Sequence, residues 1–354
     1  MKTDELITRN TVEFLSDAGV RPLANTAEGK YAYVGYEPSG VLHLGHMLTA
    51  NKLLDLQEAG MEVIILLADV HAYLNGKGTF EEISDTADRM REQFIAYGLK
   101  EDSTRFVLGS DFQLNEDYFL DLHAFALETT LNRAQRAMAE IQGPETAKVS
   151  HIVYPLMQAL DIEYLDLDLA VGGLDQRKVH VLHREVAPKI GYEARPIIHT
   201  PILADLTTGL GKMSSSTNPV TGGESISISF MDSKDEVEEK IGRVFFPPER
   251  DPDFEDYYDP DDYGLNPSDV ILHNPALQLF EYYVFPRFNH ILVERSEEYG
   301  GDVAYESYEA LAKAIESGDL HPADAKDTLT AYLDKLIAPG REKIESERFE
   351  DPNP

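Results

Sequence analysis

The chain has 354 residues, with 64 acidic against 31 basic side chains, a net charge of -33 at pH 7, 42% hydrophobic residues and no cysteine. That composition excludes disulfides and thiolate metal sites. No apolar run reaches the roughly 18 residues of a membrane helix, and the N-terminus MKTDEL lacks the apolar centre of a secretory signal, so a cytoplasmic protein of two domains is expected.

Residues 5–18 read as an amphipathic helix and 31–36 as a strand, followed by a helix from about Val41 to Glu58. Met61 to Ala68 (MEVIILLA) is a continuous apolar run between turn signals, the pattern of a buried parallel strand. Phe80 to Tyr97 reads as a helix, Arg105 to Gly109 as a short strand, and 116–142 as one or two helices. A helix over 151–164 leads into a strand over 165–171, then Gly172-Gly173 and another helix. This βαβ alternation predicts an α/β fold with a doubly wound parallel sheet. Beyond Ser216, residues 231–243 and 269–349 read as mainly helical. The acidic, proline-rich stretch Glu249 to Asp262 (ERDPDFEDYYDPDD) reads as a surface insertion, with an acidic metal site as the alternative.

Acidity counts against a nucleic-acid partner, because phosphates repel it. In about 1 M salt, where the Debye length falls to about 3 Å, only close contacts matter. The charge therefore points to a halophile's cytoplasm, and otherwise to a solvated surface.

In an open parallel sheet, ligands bind beyond the carboxyl ends of the strands, and three segments fall there. The first is Gly35-Tyr36-Glu37-Pro38-Ser39-Gly40 with His43 and His46, which share one face at the start of a helix, where anions are favoured. Two surface or core histidines fit that spacing equally well, and a zinc site needs further ligands. The second is Tyr154, Gln158 and Asp161, aligned at spacings of four and three among apolar neighbours; a polar ligand or an internal hydrogen-bond network satisfies such a stripe. The third is the glycine-flanked Lys212-Met213-Ser214-Ser215-Ser216, where one lysine can follow developing phosphate charge.

HLGH at 43–46 and KMSSS at 212–216 resemble the paired signature motifs of class I aminoacyl-tRNA synthetases. The blocks YVGYEPSGVLHLGH, ILLADVHAYLN, VYPLMQALDIEYLDLDLAVGGLDQRKVH and GKMSSS resemble the tyrosyl-tRNA synthetases of the archaeal and eukaryotic type over nearly the whole chain. The resemblance implies a Rossmann-like catalytic domain over 1–220, with a helical insertion at about 112–150, and a helical anticodon-binding domain over 221–354. It implies ATP with Mg²⁺ as substrate, L-tyrosine and tRNA(Tyr) as partners, a homodimer, and no tightly bound cofactor or resident metal.

By the same resemblance, His43, His46 and Lys212 are catalytic, and Gly45, Gly172, Met213, Ser214 and Ser215 line the ATP site. Ser215 stands where the general motif has a second lysine. Tyr33 and Asp161 match the pair that holds the substrate phenol; Gly35, Glu37, Tyr154, Gln158 and Gln176 complete the tyrosine site. Arg177 matches a position near the first acceptor base pair, and Tyr299, His321 and Asp324 match positions near the first anticodon base. Arg133 and Arg136, on a basic helix, are candidates for the acceptor stem or ordinary surface charges. The Tyr33/Asp161 pair argues against a tryptophan enzyme, and the long C-terminal region against a small nucleotidyltransferase.

Overall fold

The computed structural model describes residues 1–139, 148–209, 211–214, 223–247 and 274–350. Within them the chain forms two compact units: Met1–Gly40 with Lys52–Pro201, and Val41–Asn51 with Ile202–Pro354. The division between the units falls at Pro201–Ile202, and the second unit includes the HLGH segment.

In the first unit, α1 (Thr3–Thr8), β1 (Glu13–Leu15) and α2 (Val20–Asn25) precede β2 (Tyr31–Tyr36). Then come α3 (Leu44–Glu58), whose first turns belong to the second unit, β3 (Glu62–Leu67), α4 (Asp69–Leu74), α5 (Phe80–Tyr97) and β4 (Thr104–Leu108). They are followed by α6 (Glu116–Leu127), α7 (Leu131–Ala139), α8 (Ser150–Tyr164), β5 (Leu169–Gly173), α9 (Arg177–Val186) and β6 (Ile197–Thr200). The sheet order is β1-β6-β5-β2-β3-β4, parallel throughout except for the antiparallel edge strand β1. Successive strands step outward from β2 to β4 and then restart at β5, so the topological switch point lies between β2 and β5. Val63, Ile64, Ile65 and Leu66 of β3 are buried, as a strand covered on both faces requires. Tyr33, Ile64, Leu66, Ile162, Leu167, Ala170 and Ile197 form one core cluster.

The helix expected over 5–18 is a correction. α1 ends at Thr8, Asn10 takes a left-handed φ of 50°, and Val12 N–H joins His199 O at 2.8 Å to start β1. The buried Lys52 ammonium donates to Ile7 O at 3.1 Å and also reaches Leu6 O and Arg9 O, ending α1 from outside it. β5 starts four residues later than expected. Asp166 has a left-handed φ of 50°, and the Asp168 carboxylate accepts from Tyr31 N–H at 2.9 Å and Lys30 at 2.7 Å, making a turn of the alternating Leu-Asp run.

The second unit contains α10 (Lys234–Gly242), α11 (Pro275–Leu279) continued by a π-helical turn Phe280–Val284, the antiparallel pair β7 (Ile291–Val293) and β8 (Val303–Tyr305), α12 (Tyr308–Glu316) and α13 (Pro322–Glu350). The small hairpin interrupts a region expected to be mainly helical. The acidic stretch 249–262 lies outside the described residues.

Candidate active site

Two clusters of side chains stand out, one in each unit. In the first unit, Tyr33 on β2 and Asp161 on α8 are buried and electrostatically coupled. A Cβ at Gly35 would sit 2.9 Å from the Tyr33 hydroxyl, so glycine is what lets the phenol lie along its own strand. Asp161 accepts from Gln113 Nε2 at 2.8 and 3.0 Å and from Tyr118 Oη at 2.7 Å. Burial pushes its carboxyl up to about 7, and the Gln113 and Tyr118 hydrogen bonds offset only part of that. His71 Nε2 lies 4.0 Å from Asp161 Oδ2, but burial lowers His71 to about 4, so the imidazole is neutral near pH 7 and the contact is no ion pair.

The cluster continues along the carboxyl edge of the sheet. The His71 ring meets Tyr154 edge-on, with centroids 4.5 Å apart. Tyr154 Oη donates to Glu37 Oε1 at 2.6 Å, and Asn75 Nδ2 donates to the same oxygen. Gln158 Nε2 donates to Gln176 Oε1 at 2.9 Å, joining α8 to the turn after β5. Four buried polar atoms here, His71 Nε2, Asn75 Oδ1, Gln113 Oε1 and Gln158 Oε1, have no hydrogen-bond partner among the described residues. Buried polar groups are normally paired, so four unpaired ones in one cluster leave hydrogen-bonding capacity for a polar ligand.

Gly172, at the end of β5, packs against His180. His180 Nδ1 lies 2.9 Å from His199 Nε2, and His199 Nδ1 lies 2.9 Å from Glu13 Oε2. Arg177 grips Glu13 with two bonds of 2.8 and 2.9 Å. The His199 hydrogen bond, with Arg177 beside it, holds Glu13 down at about 2. Arg133 pairs with Glu185 at 3.0 Å, whereas Arg136 is exposed and bonds its own helix at Asn132 O.

In the second unit, His43 forms an antiparallel bridge with Ser229, flanked by Leu44 N–H to Ile228 O and Phe230 N–H to Leu42 O. Asp232 supports that strand by accepting from Ser229 N–H at 2.8 Å and from Lys240, and Arg341 of α13 donates to Asp232 O. Tyr283 Oη donates to Leu44 O at 2.5 Å, and Arg287 Nε donates to Asn51 Oδ1 at 2.9 Å, fixing the start of α3. The His43 and His46 rings lie 4.0 Å apart. His43 Nδ1 accepts from Gly45 N–H at 3.1 Å, and His46 Nδ1 accepts from His43 N–H at 3.2 Å. Each imidazole therefore carries its proton on Nε2. Burial, then the Lys212 charge, lowers His43 to about 4; burial, then His43, lowers His46 well below the usual imidazole range. Both are neutral donors at pH 7. A Cβ at Gly45 would lie 3.0 Å from His43 Cε1 and 3.7 Å from the Met213 methyl, so a larger residue would press on both.

Lys212 pairs with Ala204 across an antiparallel bridge, and Met213 N–H donates to Leu203 O at 2.8 Å. Ser214 follows Met213, and Ser215 lies outside the described residues. Tyr299 is 69% exposed; His321 and Asp324 stand at the N-terminal end of α13, His321 exposed and Asp324 half-buried. None of Gln113, Tyr118, His71 and Asn75 is singled out by the sequence. His71 and Asn75 carry a signal there, being polar residues directly after the apolar run of β3; Gln113 and Tyr118 carry none.

The family model described as tRNA synthetases class I (W and Y) matches residues 27–338. The chain is 61% identical over 350 residues to a Tyrosine--tRNA ligase of Halobacterium salinarum, covering 99% of this chain and 100% of the relative. It is 59% identical to one of Halorubrum lacusprofundi, covering 97% and 99%. A crystal structure of tyrosyl-tRNA synthetase complexed with L-tyrosine from Archaeoglobus fulgidus superposes with a TM-score of 0.84 at 48% identity, covering 96% of this chain and 98% of that one.

Proposed function

The chain belongs to the tyrosine--tRNA ligases of the class I tRNA synthetase family, and we propose that its first unit holds the amino acid while the signature motifs of its second unit hold the nucleotide. It activates L-tyrosine with ATP to tyrosyl-adenylate, releasing pyrophosphate, and transfers the tyrosyl group to tRNA(Tyr). The substrate carboxylate attacks the α-phosphorus, and negative charge builds on the departing pyrophosphate. ATP enters as its Mg²⁺ complex. His43 and His46 offer neutral Nε2–H donors to phosphate oxygens, and Lys212 supplies the cation that answers the growing charge. Gly45, Gly172, Met213, Ser214 and Ser215 line the nucleotide.

Asp161 accepts the substrate's phenolic hydrogen, and Tyr33 completes the phenol's contacts. Gly35 leaves room for Tyr33, and Glu37, Tyr154, Gln158 and Gln176 take the ammonium end. Gln113, Tyr118, His71 and Asn75 are added to this shell. The observation that carries the reading is the fully buried Asp161 carboxyl in a cluster with four polar atoms unpaired among the described residues. Arg177 meets the first acceptor base pair, Arg133 and Arg136 the acceptor stem, and Tyr299, His321 and Asp324 the first anticodon base. The enzyme acts in the cytoplasm; no helix among the described residues is long and apolar enough to cross a membrane.

We further propose a homodimer through α6 and α7, two successive helices on which the large apolar side chains Phe119, Leu120, Leu127 and Leu131 are each exposed and available for burial against a second copy.

ATP–pyrophosphate exchange with each of the twenty amino acids, run with Asp161→Ala beside the parent enzyme, tests the site. A pocket that pairs the phenol can discriminate against phenylalanine by about 10⁴–10⁵. Asp161→Ala should collapse that ratio of kcat/KM values; an unchanged ratio refutes the assignment.

A further inference from the structure

On the strand segment that faces the signature lysine lies a carboxylate that the reaction itself does not call for. Asp205 is fully buried. Its Oδ1 accepts from Thr207 N–H at 3.1 Å, Thr207 Oγ1 at 2.6 Å, Thr208 N–H at 3.0 Å and Thr208 Oγ1 at 2.9 Å. Its Oδ2 accepts from Ser225 Oγ at 2.5 Å, on the segment that returns after the signature. Its backbone closes the same turn: Asp205 N–H donates to Gly211 O at 2.9 Å, and Gly209 N–H donates to Asp205 O at 2.8 Å. The adjacent stem is tied down in turn, by Ala204 N–H to Gln278 Oε1 at 2.8 Å and Phe245 N–H to Leu206 O at 2.7 Å.

A carboxylate is costly to bury, and here the cost is met by donors drawn from both sides of the signature. One side chain thus joins the chain entering the motif, at 207–208, to the chain leaving it, at 225. Lys212 sits opposite Ala204, one residue from Asp205, on the stem so fixed.

We infer that Asp205 is a positioning residue for Lys212, setting the stem from which the lysine reaches the phosphates. The inference rests on the reading that Lys212 acts on those phosphates. Asp205 touches no substrate; its effect runs through the lysine. Removing it leaves tyrosine binding intact, because the phenol and ammonium contacts lie on β2, α8 and the turn after β5.

The test is a double-mutant cycle on adenylate formation, measured by stopped flow, beside equilibrium tyrosine binding and thermal unfolding. Asp205→Ala should slow activation by roughly ten- to a hundredfold with the tyrosine Kd within about twofold. Asp205→Asn should recover most of the rate, because its carbonyl oxygen keeps the Oδ1 bonds while its amide donates to Ser225 Oγ. In a Lys212→Ala background, adding Asp205→Ala should cost less than about threefold more, since the residue then has nothing to position. Losses that multiply in the double variant overturn the inference and leave the Lys212 reading standing. A Lys212→Ala enzyme that activates tyrosine normally overturns that reading, and the inference with it. Should Asp205→Ala not fold, Ser225→Ala, which removes only the Oδ2 partner, replaces it in the cycle with the same two outcomes.

Discussion

Asp161 puts a titration inside the proposed amino-acid site. Its carboxyl is raised to about 7 by burial, while His71 is neutral above about 4 and burial keeps the Tyr33 and Tyr118 hydroxyls protonated. A substrate phenol donates to the carboxylate and so competes with its proton. Tyrosine affinity should therefore rise with pH, by up to about tenfold per unit, and level off above about pH 7. Phenylalanine binding should show no such slope. The Kd of each amino acid, followed from pH 5.5 to 8.5 in the parent and in Asp161→Asn, checks this; a parent as flat as the variant contradicts it. The effect on folding has the opposite sign. The unfolded chain ionises Asp161 in the ordinary carboxylate range, so the group's contribution to stability is complete below that range and is lost as pH climbs to about 7. The two histidines and Lys212 are legible in sequence because they stand at fixed short spacings. Gln113 and Tyr118 are not, because they reach Asp161 only after α6, the loop before it and α8 have packed.

At the scale of elements, strong local signals set most boundaries. Thr79 and Glu82 form a capping box in front of α5, and Gly98 ends it, so the helix spans the expected residues. Ser233 and Glu236 do the same for α10. Ser233→Ala should cost about 1 kcal/mol of stability, read by chemical denaturation, with little change in activation; Ser233→Asp should restore it. The sequence misleads where a distant side chain overrides local preference. Lys52 ends α1 by taking its last carbonyls, although residues 5–18 keep a helical apolar pattern. Asp166 and Asp168 turn a stretch whose alternation reads as strand. In neither case does the window around the residue contain the partner that decides.

Across the whole molecule, charge dominates. The relatives in Halobacterium salinarum and Halorubrum lacusprofundi fit the halophilic reading of the -33 total. At 0.01 M salt the Debye length is about 30 Å, and self-repulsion is then felt across much of the molecule. Circular dichroism and aminoacylation from roughly 0.05 to 3 M KCl should show structure and activity lost at the low end; full activity there, declining with added salt, contradicts the reading. Light scattering in high salt should give twice the chain mass, and Leu127→Glu or Phe119→Glu should halve it. A parent that scatters as a monomer removes the dimer.

The bridge between His43 and Ser229 also bears on the order in which the protein comes into being. A ribosome adding about 5–20 residues per second needs on the order of ten to forty seconds to span the roughly 190 residues separating those two positions. Throughout that interval the first signature motif has been synthesised but has no strand to pair with, and the helix bearing Arg341 does not yet exist to brace Asp232. Tyr33, Asp161 and their neighbours have all been made before Ser229 emerges. During synthesis the residues proposed to recognise tyrosine are complete first, and the histidines of the first signature motif gain their supports only near the end of translation.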